Sequence, residues 1–331
     1  MRPAGPRAAD GAVPGGDRSL GRAVRAAADR LAGAGVGSPR VDAELLAAHA
    51  TGLTRSALSA AILRGAVLTP DRGAAFDALV GRRTAREPLQ HLTGKAGFRR
   101  LDLAVGPGVF VPRPETEMLA GWAIEVATGD AATVGGSRDG AIVVDLCTGS
   151  GAIAAAVADE VPGARVVAVE LDPPAHAWAV RNLAGTGVDL LLGDATTLDR
   201  DRPDLVGLVD VVVANPPYIP LDAWESVAPE VRDHDPVLAL WGGQDGLDVV
   251  RGVVTCAARL LRAGGQLGVE HADAQGSAVP DLLAATGAWV GIRDHEDLSG
   301  RSRWTTARRA PGDAKPLPGT PGAARSGTMS R

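Results

Sequence analysis

Apolar residues recur at helical spacing near the start of the chain. Positions three or four residues apart lie on one face of a helix, so this spacing predicts amphipathic helices that bury that face. Residues 42–49 continue the pattern, and Thr69 followed by Pro70 predicts an N-cap and the first turn of a further helix. We therefore predict a small helical domain over residues 18–87. The apolar positions that begin it are Leu20, Val24, Ala27 and Leu31.

Short apolar segments alternate with helical segments in the second half of the chain. Strands that are apolar along their whole length are typical of a parallel sheet covered by helices on both faces. Residues 289–293 and 303–308 lie close together in sequence and predict an antiparallel pair at the sheet edge. A helix is predicted over residues 118–127. The predicted parallel strands are 142–146, 166–171, 188–192, 209–214 and 266–270.

A different pattern connects these two regions. Apolar residues alternate up to Val105, a Gly-Pro-Gly turn occupies residues 106–108, and residues 109–111 are again apolar. This pattern predicts two strands around the turn, and therefore a β-hairpin linker over residues 88–112. An α/β domain over residues 113–309 follows it.

Composition limits the class of protein. The chain has 331 residues, 45% of them hydrophobic, with 34 Lys and Arg against 39 Asp and Glu. This slightly acidic balance disfavours an extended nucleic-acid groove, and the N-terminal segment lacks the apolar core of a signal peptide. Two cysteines without metal-ligand spacing indicate neither a disulfide framework nor a zinc site, which fits a reducing cytoplasm. Residues 1–17 and 310–331 lack apolar periodicity and are predicted to be disordered tails.

A glycine-rich turn follows the first predicted strand of the sheet. Gly149 and Gly151 allow the backbone to approach a ligand closely at the start of the next helix, where free N–H groups collect. Ala154 replaces the third glycine of a dinucleotide-binding fingerprint, and the Lys-Ser/Thr pair of a phosphate loop is absent. The turn therefore predicts ligand binding without phosphate recognition. A plain strand-to-helix turn is the alternative.

Acidic residues end the next two strands. Glu170 lies 19 positions beyond Gly151, where a carboxylate accepts both hydroxyl hydrogens of a ribose in related sheets. Asp194 ends the third strand and is a candidate acceptor for the amino group of an adenine. Each acid alone is more often a solvated strand end or a helix cap. Together with the glycine turn, they favour a ligand site at the carboxyl edge of the sheet.

A stiff corner follows the fourth strand, with the sequence Asn215-Pro216-Pro217-Tyr218. Proline holds the residue before it in extended geometry, at the edge where open α/β sheets bind ligands. The Asn215 side-chain oxygen and the Pro216 carbonyl oxygen are candidate acceptors for a planar NH2 group, and Tyr218 offers an aromatic face beside it. Two acceptors that grip both N–H hydrogens aim the nitrogen lone pair at an electrophilic carbon. The alternative is a proline-stiffened loop with a buried tyrosine.

These features resemble the class I S-adenosylmethionine-dependent methyltransferases of the Asn-Pro-Pro-Tyr type, and closely the HemK/PrmC family of release factor glutamine methyltransferases. The resemblance runs from about Ser19 to Arg309. It implies a Rossmann-like class I methyltransferase sheet with a small N-terminal helical domain and a β-hairpin linker. Adenine methyltransferases of DNA and RNA share the tetrapeptide, whereas residues 112–117 are far more specific to the family. The resemblance is carried by residues 87–94, Phe98, 112–117, the glycine turn, 215–218, 230–232, 242–247, 270–271 and 297–301.

The resemblance implies a role for each residue of these motifs, with no metal. The acceptor glutamine would be bound by Asn215, Pro216, Pro217 and Tyr218, and Asn215, Pro216 and Tyr218 would be catalytic. S-adenosylmethionine would be bound by Cys147, Thr148, Gly149, Ser150, Gly151, Glu170, Asp194, Ala195 and Asn215.

Two of these residues depart from the family pattern. Cys147 stands where the family usually has glycine, so the backbone there must accommodate a Cβ atom, and weaker tolerance rather than lost binding is expected. Ala195 stands where some members have a large aromatic residue, which would expose the adenine on that side. The resemblance also implies that Phe98 and residues 112–117 close the pocket and that the helical domain helps to recognise the protein substrate.

The implied substrate is the glutamine of the Gly-Gly-Gln motif in class I peptide chain release factors, whose methylation modulates translation termination. A relative that methylates a ribosomal protein is expected to have Pro-Arg-Ser-Pro in the corresponding segment, and Pro114 favours the release factor. We expect a cytoplasmic monomer without direct nucleic-acid binding or a membrane segment. Glu270 and His271 are interpreted as structural residues at the sheet rim. Two alternatives stay open: an adenine methyltransferase acting on nucleic acid, and a non-catalytic module that retains the donor pocket.

Overall fold

The computed structural model describes residues 18–133 and 140–311. The predicted disordered tail at 1–17 lies outside the described residues, as does all of the second predicted tail except Ala310 and Pro311. Among the described helices, none is both long and apolar enough to cross a membrane.

The first of two compact units ends at Thr93 and is helical. Its helices bury the apolar face that the sequence spacing predicts, and Leu31, Leu46 and Phe76 are fully buried in one core. Thr69 precedes the fourth helix as predicted, although its side chain makes no capping hydrogen bond to the described residues. The elements are β1 (Arg18–Ser19), α1 (Leu20–Gly33), α2 (Pro39–Thr51), α3 (Arg55–Leu63), β2 (Val67–Leu68), α4 (Pro70–Thr84) and α5 (Leu89–Thr93), with β1 and β2 antiparallel.

A buried ion pair ties α2 to α4 inside this unit. Arg83 Nε donates to Asp42 Oδ2 at 2.8 Å, and both side chains are less than 10% exposed. Arg83 also donates to the carbonyl oxygen of Glu87 at 3.1 Å, which spreads the guanidinium charge over two acceptors. Removing one partner of such a pair leaves a buried charge without compensation.

A two-stranded hairpin begins the second unit, within the predicted linker over residues 88–112. Strands β3 (Lys95–Phe98) and β4 (Leu101–Ala104) pair antiparallel around Arg99, which has a left-handed φ of 52°. The predicted turn at Gly-Pro-Gly is wrong, since residues 109–111 are not a strand, and the strand at 101–104 pairs with the residues before it instead. Gly106 instead lies against Trp178, where an added Cβ atom would approach the indole ring to 2.6 Å. This glycine is needed for close packing rather than for a hairpin turn.

A seven-stranded sheet forms the centre of the second unit. Its strands are β5 (Ile142–Leu146), β6 (Arg165–Glu170), β7 (Asp189–Leu192), β8 (Val209–Ala214), β9 (Leu261–Glu270), β10 (Trp289–Glu296) and β11 (Ser302–Arg309). Their order across the sheet is β10-β11-β9-β8-β5-β6-β7. Strands β5 to β9 are parallel, and β11 pairs antiparallel with both β9 and β10. The predicted parallel sheet with an antiparallel pair at its edge is confirmed.

Helices cover both faces of this sheet. Val143 and Val211 point into one apolar core, whereas their neighbours Val144 and Val212 point into another, because side chains alternate along a strand. These helices are, in chain order, α6 (Thr116–Thr133), α7 (Ala152–Glu160), α8 (Pro173–Asn182), α9 (Leu198–Asp201), α10 (Pro229–Arg232), α11 (Val237–Leu240), α12 (Asp248–Leu260) and α13 (Ala278–Thr286). Alanines of α7 and α8 pack in the first core, and apolar residues of α12 and α13 line the second.

Strand register brings the predicted motifs to one edge of the sheet. Leu146, the last residue of β5, pairs with Val169 on one side and with Ala214 on the other. The glycine turn therefore starts at the same height along the strands as Glu170 and Asn215. Parallel α/β sheets bind ligands at this carboxyl edge.

Candidate active site

A cavity of about 860 Å³ opens at the carboxyl edge of the sheet within the second unit. Two of the predicted site residues, Gly151 and Pro216, are buried and do not line this cavity. The predicted residues that line it are Cys147, Thr148, Gly149, Ser150, Glu170, Asp194, Ala195, Asn215, Pro217 and Tyr218. The structure therefore brings both motifs to one cavity, whereas the role of the Pro216 carbonyl oxygen stays a prediction.

The glycine turn is held in left-handed backbone conformations. Gly149 has a φ of 58° and Gly151 a φ of 84°, both of which glycine adopts without a steric penalty. An added Cβ atom on Gly149 would meet no described atom within 4 Å, so that face of the turn is open to a ligand. On Gly151 the same atom would come within 3.0 Å of Leu183. The first glycine leaves room for a ligand, and the second allows α7 to pack.

Cys147 adopts the glycine-like conformation without being glycine. Its φ is 63°, which costs an L-residue with a Cβ atom about 1–2 kcal/mol. Burial, with the nearby carboxylates of Glu170 and Asp145, raises the pKa of its thiol. The side chain is therefore a neutral part of the cavity wall.

Asp145 fixes the glycine turn from below, a role that the sequence analysis missed. Its Oδ2 accepts from the hydroxyl of Thr148 at 2.6 Å and from the backbone N–H of Ala154 at 3.0 Å. Burial raises its pKa to about 7, against the effect of these hydrogen bonds. A carboxylate in the middle of an otherwise apolar strand was the available signal, because such a group is buried only when something holds it.

Glu170 ends β6 and lines the cavity. Its Oε2 accepts from the backbone N–H of Gly149 and its Oε1 from that of Asp172, both at 2.8 Å. Each carboxylate oxygen has a second lone pair, so the group retains acceptor capacity while the two backbone contacts fix its orientation. Burial raises its pKa, and these backbone contacts oppose the shift. The predicted position at a ribose is compatible with this geometry.

Asp194 and Ala195 form another side of the cavity. Asp194 Oδ1 accepts from the backbone N–H of Thr196 at 2.8 Å and from its hydroxyl at 2.7 Å, so this oxygen closes a turn. Asp194 is exposed, whereas Ala195 is buried and packs in the apolar core. Only the second carboxylate oxygen of Asp194 is thus available to a ligand in this geometry.

Asn215 is oriented by a residue from a distant part of the chain. Its Nδ2 donates to Thr116 Oγ1 at 3.2 Å, and Thr116 lies at the start of α6. No hydrogen bond from the described residues occupies Asn215 Oδ1. The Asn215 side chain therefore presents a free acceptor at the cavity wall, as the sequence predicts.

Tyr218 is anchored at both its side chain and its backbone. Its hydroxyl donates to Glu270 Oε1 at 3.3 Å, and its carbonyl oxygen accepts from Gln275 Nε2 at 3.0 Å. Burial and the adjacent Glu270 carboxyl raise the pKa of the phenol, which stays neutral. The ring is thus a fixed, uncharged surface of the cavity.

Glu270 is buried at the carboxyl end of β9 and lines the cavity, and its structural role at the sheet rim stays a prediction. Burial raises its pKa to about 7, while Thr116, Tyr218 and Arg303 oppose that shift. His271 does have the predicted structural role, since it is fully buried and both ring nitrogens have partners. Adjacent residues of an extended segment point to opposite sides, so Glu270 lines the cavity whereas the neighbouring His271 does not.

Residues 242–246, with the sequence Gly-Gly-Gln-Asp-Gly, pack against residues 215–218, which we call the proline corner. An added Cβ atom on Gly242 would lie 2.7 Å from the Pro217 carbonyl oxygen, and on Gly246 it would clash with the Tyr218 carbonyl oxygen. Gly246 also has a φ of 77°. These glycines let the two loops touch through their backbones, so the corner is braced from behind.

The segment before α6 forms one wall, but not with the aromatic residue that the resemblance implies. Phe98 is 1% exposed and packs in the apolar core, so the prediction that it closes the pocket is wrong. Phe110 lines the cavity instead, and the Arg113 guanidinium lies 4.9 Å from the centre of its ring. Arg113 also donates to the buried Asp235 at 2.8 Å, which connects this wall to the loop beyond the proline corner.

Two family models match the chain. The PrmC N-terminal domain matches residues 22–94, and a methyltransferase domain matches residues 143–234. The chain is 54% identical over 288 residues to the release factor glutamine methyltransferase of Streptomyces coelicolor, covering 87% of this chain and 97% of that protein. It is 48% identical to the protein of the same name from Mycolicibacterium smegmatis, covering 88% and 98%.

A further relative carries a different name. The 4-amino-L-phenylalanine/4-methylamino-L-phenylalanine methyltransferase of Streptomyces pristinaespiralis is 45% identical over 276 residues, covering 82% of this chain and 89% of that protein. The two proteins named release factor glutamine methyltransferase have the higher identities and are covered over nearly their whole length. This chain belongs to the family of release factor glutamine methyltransferases.

Proposed function

We propose that this chain transfers the methyl group of S-adenosylmethionine to the side-chain amide nitrogen of the glutamine in the Gly-Gly-Gln motif of class I release factors. The observation that carries the proposal is the Asn215 side chain, which Thr116 holds with Oδ1 free at the cavity wall. This acceptor stands beside the Tyr218 ring and near the glycine turn, all lining one cavity. The site thus combines a donor pocket with a grip for a planar NH2 group.

The residues present fit the proposed methyl donor. The open face of Gly149 leaves space along the turn, and the carboxylates of Glu170 and Asp194 lie where a nucleoside offers hydroxyl and amino hydrogens. When bound, S-adenosylmethionine supplies a methyl group made electrophilic by the attached sulfonium. Glu170, fixed by Gly149 and Asp172, is the residue we assign to the ribose.

The proline corner addresses the poor nucleophilicity of an amide nitrogen, whose lone pair is delocalised. Asn215 Oδ1 and the Pro216 carbonyl oxygen would accept the two N–H hydrogens of the substrate, which raises the electron density on nitrogen. Tyr218 would fix the plane of the amide. Preorganised polar groups of this kind act strongly because they need no rearrangement during the reaction. No side chain is required to remove a proton before transfer.

The charge distribution disfavours the nucleic-acid alternative. Residues 94–331 carry 21 Lys and Arg against 31 Asp and Glu, so the unit that holds the cavity is acidic. A nucleic-acid methyltransferase needs a basic surface along the phosphate backbone. We therefore infer a protein substrate and no direct nucleic-acid binding. We also propose that the protein is a cytoplasmic monomer.

A transfer assay with labelled methyl donor tests the proposed function. Purified release factor, the same factor with its Gly-Gly-Gln glutamine replaced by alanine, 4-amino-L-phenylalanine, a ribosomal protein and an oligonucleotide are offered in parallel. Label is expected in the intact release factor alone. Label in 4-amino-L-phenylalanine would instead favour an aryl-amine methyltransferase, and label in the oligonucleotide an adenine methyltransferase.

The donor assignment makes a separate prediction for Glu170. Glu170→Gln removes a charged acceptor and is expected to weaken donor binding by about 1.5–3 kcal/mol, the usual value for a hydrogen bond to a charged group. Isothermal titration calorimetry measures this change. Asp159→Asn, which neutralises an exposed carboxylate outside the cavity, should leave the donor affinity unchanged. Equal affinities for Glu170→Gln and wild type would remove Glu170 from the donor site.

A further inference from the structure

A buried polar cluster lies beneath the proline corner. Thr116 is 4% exposed and Glu270 is 2% exposed, and each contacts one residue of the corner. Thr116 Oγ1 accepts from Asn215 Nδ2 at 3.2 Å, and Glu270 Oε1 accepts from the Tyr218 hydroxyl at 3.3 Å. Glu270 Oε2 is buried, and none of the residues that the structure describes forms a hydrogen bond with it.

The orientation of the Asn215 amide decides whether the corner can work. An asparagine side chain presents an acceptor oxygen on one side and a donor NH2 on the other, and the two arrangements have nearly the same shape. A flipped amide would turn its NH2 group toward the NH2 group of the substrate, with no acceptor to receive a hydrogen bond. Something outside Asn215 must therefore select the orientation.

Thr116 makes that selection only if its hydroxyl acts as an acceptor. A hydroxyl has one proton to donate and two lone pairs that accept, so its own proton must be directed away from Asn215 for Oγ1 to accept from Nδ2. In the structure Oγ1 does accept from Asn215 Nδ2, and the Thr116 hydroxyl lowers the pKa of the nearby Glu270 carboxyl, so it favours the negative charge there. An ionised Glu270 would attract the Thr116 proton and so leave the oxygen lone pair for Asn215.

We propose that Thr116 and Glu270 are positioning residues that hold Asn215 with its oxygen toward the acceptor amide and Tyr218 with its ring in place. This inference rests on the proposed function, since it assigns the orientation that a carboxamide substrate needs. Neither residue has to touch the substrate. Their effect should therefore appear in kcat and not in the binding of the donor.

Matched substitutions of Thr116 test the proposal. Thr116→Val keeps the shape of the side chain and removes the hydroxyl, so we expect kcat to fall about 10- to 100-fold, the factor for one lost buried hydrogen bond. The KM for release factor and the Kd for donor should stay within twofold of wild type. Thr116→Ser restores the hydroxyl and should recover kcat to within about threefold. A Thr116→Val enzyme with the wild-type kcat would overturn the proposal.

The pH dependence of Glu270 supplies a second measurement that does not depend on the folding of the Thr116 variants. The groups that face this carboxyl are Arg303, Glu115, Tyr218 and Thr116, and burial among them raises its pKa to about 7. Below that pH the carboxyl is protonated, so it no longer attracts the Thr116 proton and no longer receives the Tyr218 hydroxyl as a charged acceptor, and kcat should fall as the pH is lowered through about 7.

Glu270→Gln separates this effect from other groups that titrate in the same range, such as Asp145. A glutamine retains a side-chain acceptor oxygen but does not ionise, so the part of the kcat profile due to Glu270 should be lost. A profile identical to that of wild type would contradict the proposed role. Methylation of release factor by the wild-type enzyme is measured first, before any variant is compared. If the wild-type enzyme does not methylate release factor, the proposed function is refuted instead.

Discussion

Asn215→Ala is expected to lower kcat for release factor methylation by about 10²–10³-fold, the usual loss when one preorganised polar contact is removed. The alanine leaves the substrate NH2 group without its side-chain acceptor, while the backbone of the corner stays braced by the glycines behind it. Single-turnover kinetics with saturating donor measures the effect on the transfer step. Calorimetry in parallel measures any change in donor affinity, because Asn215 also belongs to the predicted donor site.

A neighbouring polar residue provides the control for this substitution. Asp222 is exposed in the 3₁₀ helix that follows the corner, and Asp222→Asn should leave kcat unchanged. Asn215→Ala activity within threefold of wild type would refute the assigned role of the side-chain oxygen. The comparison also distinguishes loss of one acceptor from general loosening of the loop, since both residues lie on the same segment.

Arg83→Met is expected to lower the free energy of unfolding of the helical unit by about 3–5 kcal/mol, because it leaves the Asp42 carboxylate buried without its counter-charge. Denaturant unfolding of the full chain, followed by a probe in the helical unit, measures the change. The double variant Asp42→Leu/Arg83→Met removes both charges and should recover most of the loss.

The adjacent arginine is a matched control for the buried ion pair. Arg82 pairs with Glu87, but its side chain is 54% exposed. Solvent screening limits such a pair to less than about 1 kcal/mol, so Arg82→Met should have a small effect. Equal destabilisation by the two substitutions would show that burial of the charge is not the cause.

The sheet was predictable because its strands are buried on both faces. Residues 142–146 and 209–214 are apolar except for Asp145 and Asp210, and the structure has strands with those bounds. The hairpin was not predictable in the same way. Its turn places Arg99 at a positive φ, whereas Gly106, the residue that suggested a turn, is required by the indole of Trp178. Glycine has several structural uses, and the sequence does not distinguish between them.

Local motifs identified the parts of the site that lie within one segment. Asn215 and Glu170 were found from their positions at strand ends. Thr116 was known only as part of a family segment, because its contact with Asn215 joins residues 99 positions apart in the chain. The assignment of Phe98 failed for a related reason: whether an aromatic side chain lines a cavity or fills the core depends on packing between elements.

The central claim is that the proline corner grips a planar carboxamide through Asn215. A crystal structure of the enzyme with S-adenosylhomocysteine and a release factor tests it most directly. The account predicts the glutamine amide nitrogen at about 2.9 Å from Asn215 Oδ1, the ordinary N–H···O distance, with the Tyr218 ring beside the amide plane. A glutamine bound elsewhere in the cavity, or an Asn215 that turns its Nδ2 toward the substrate, would contradict it.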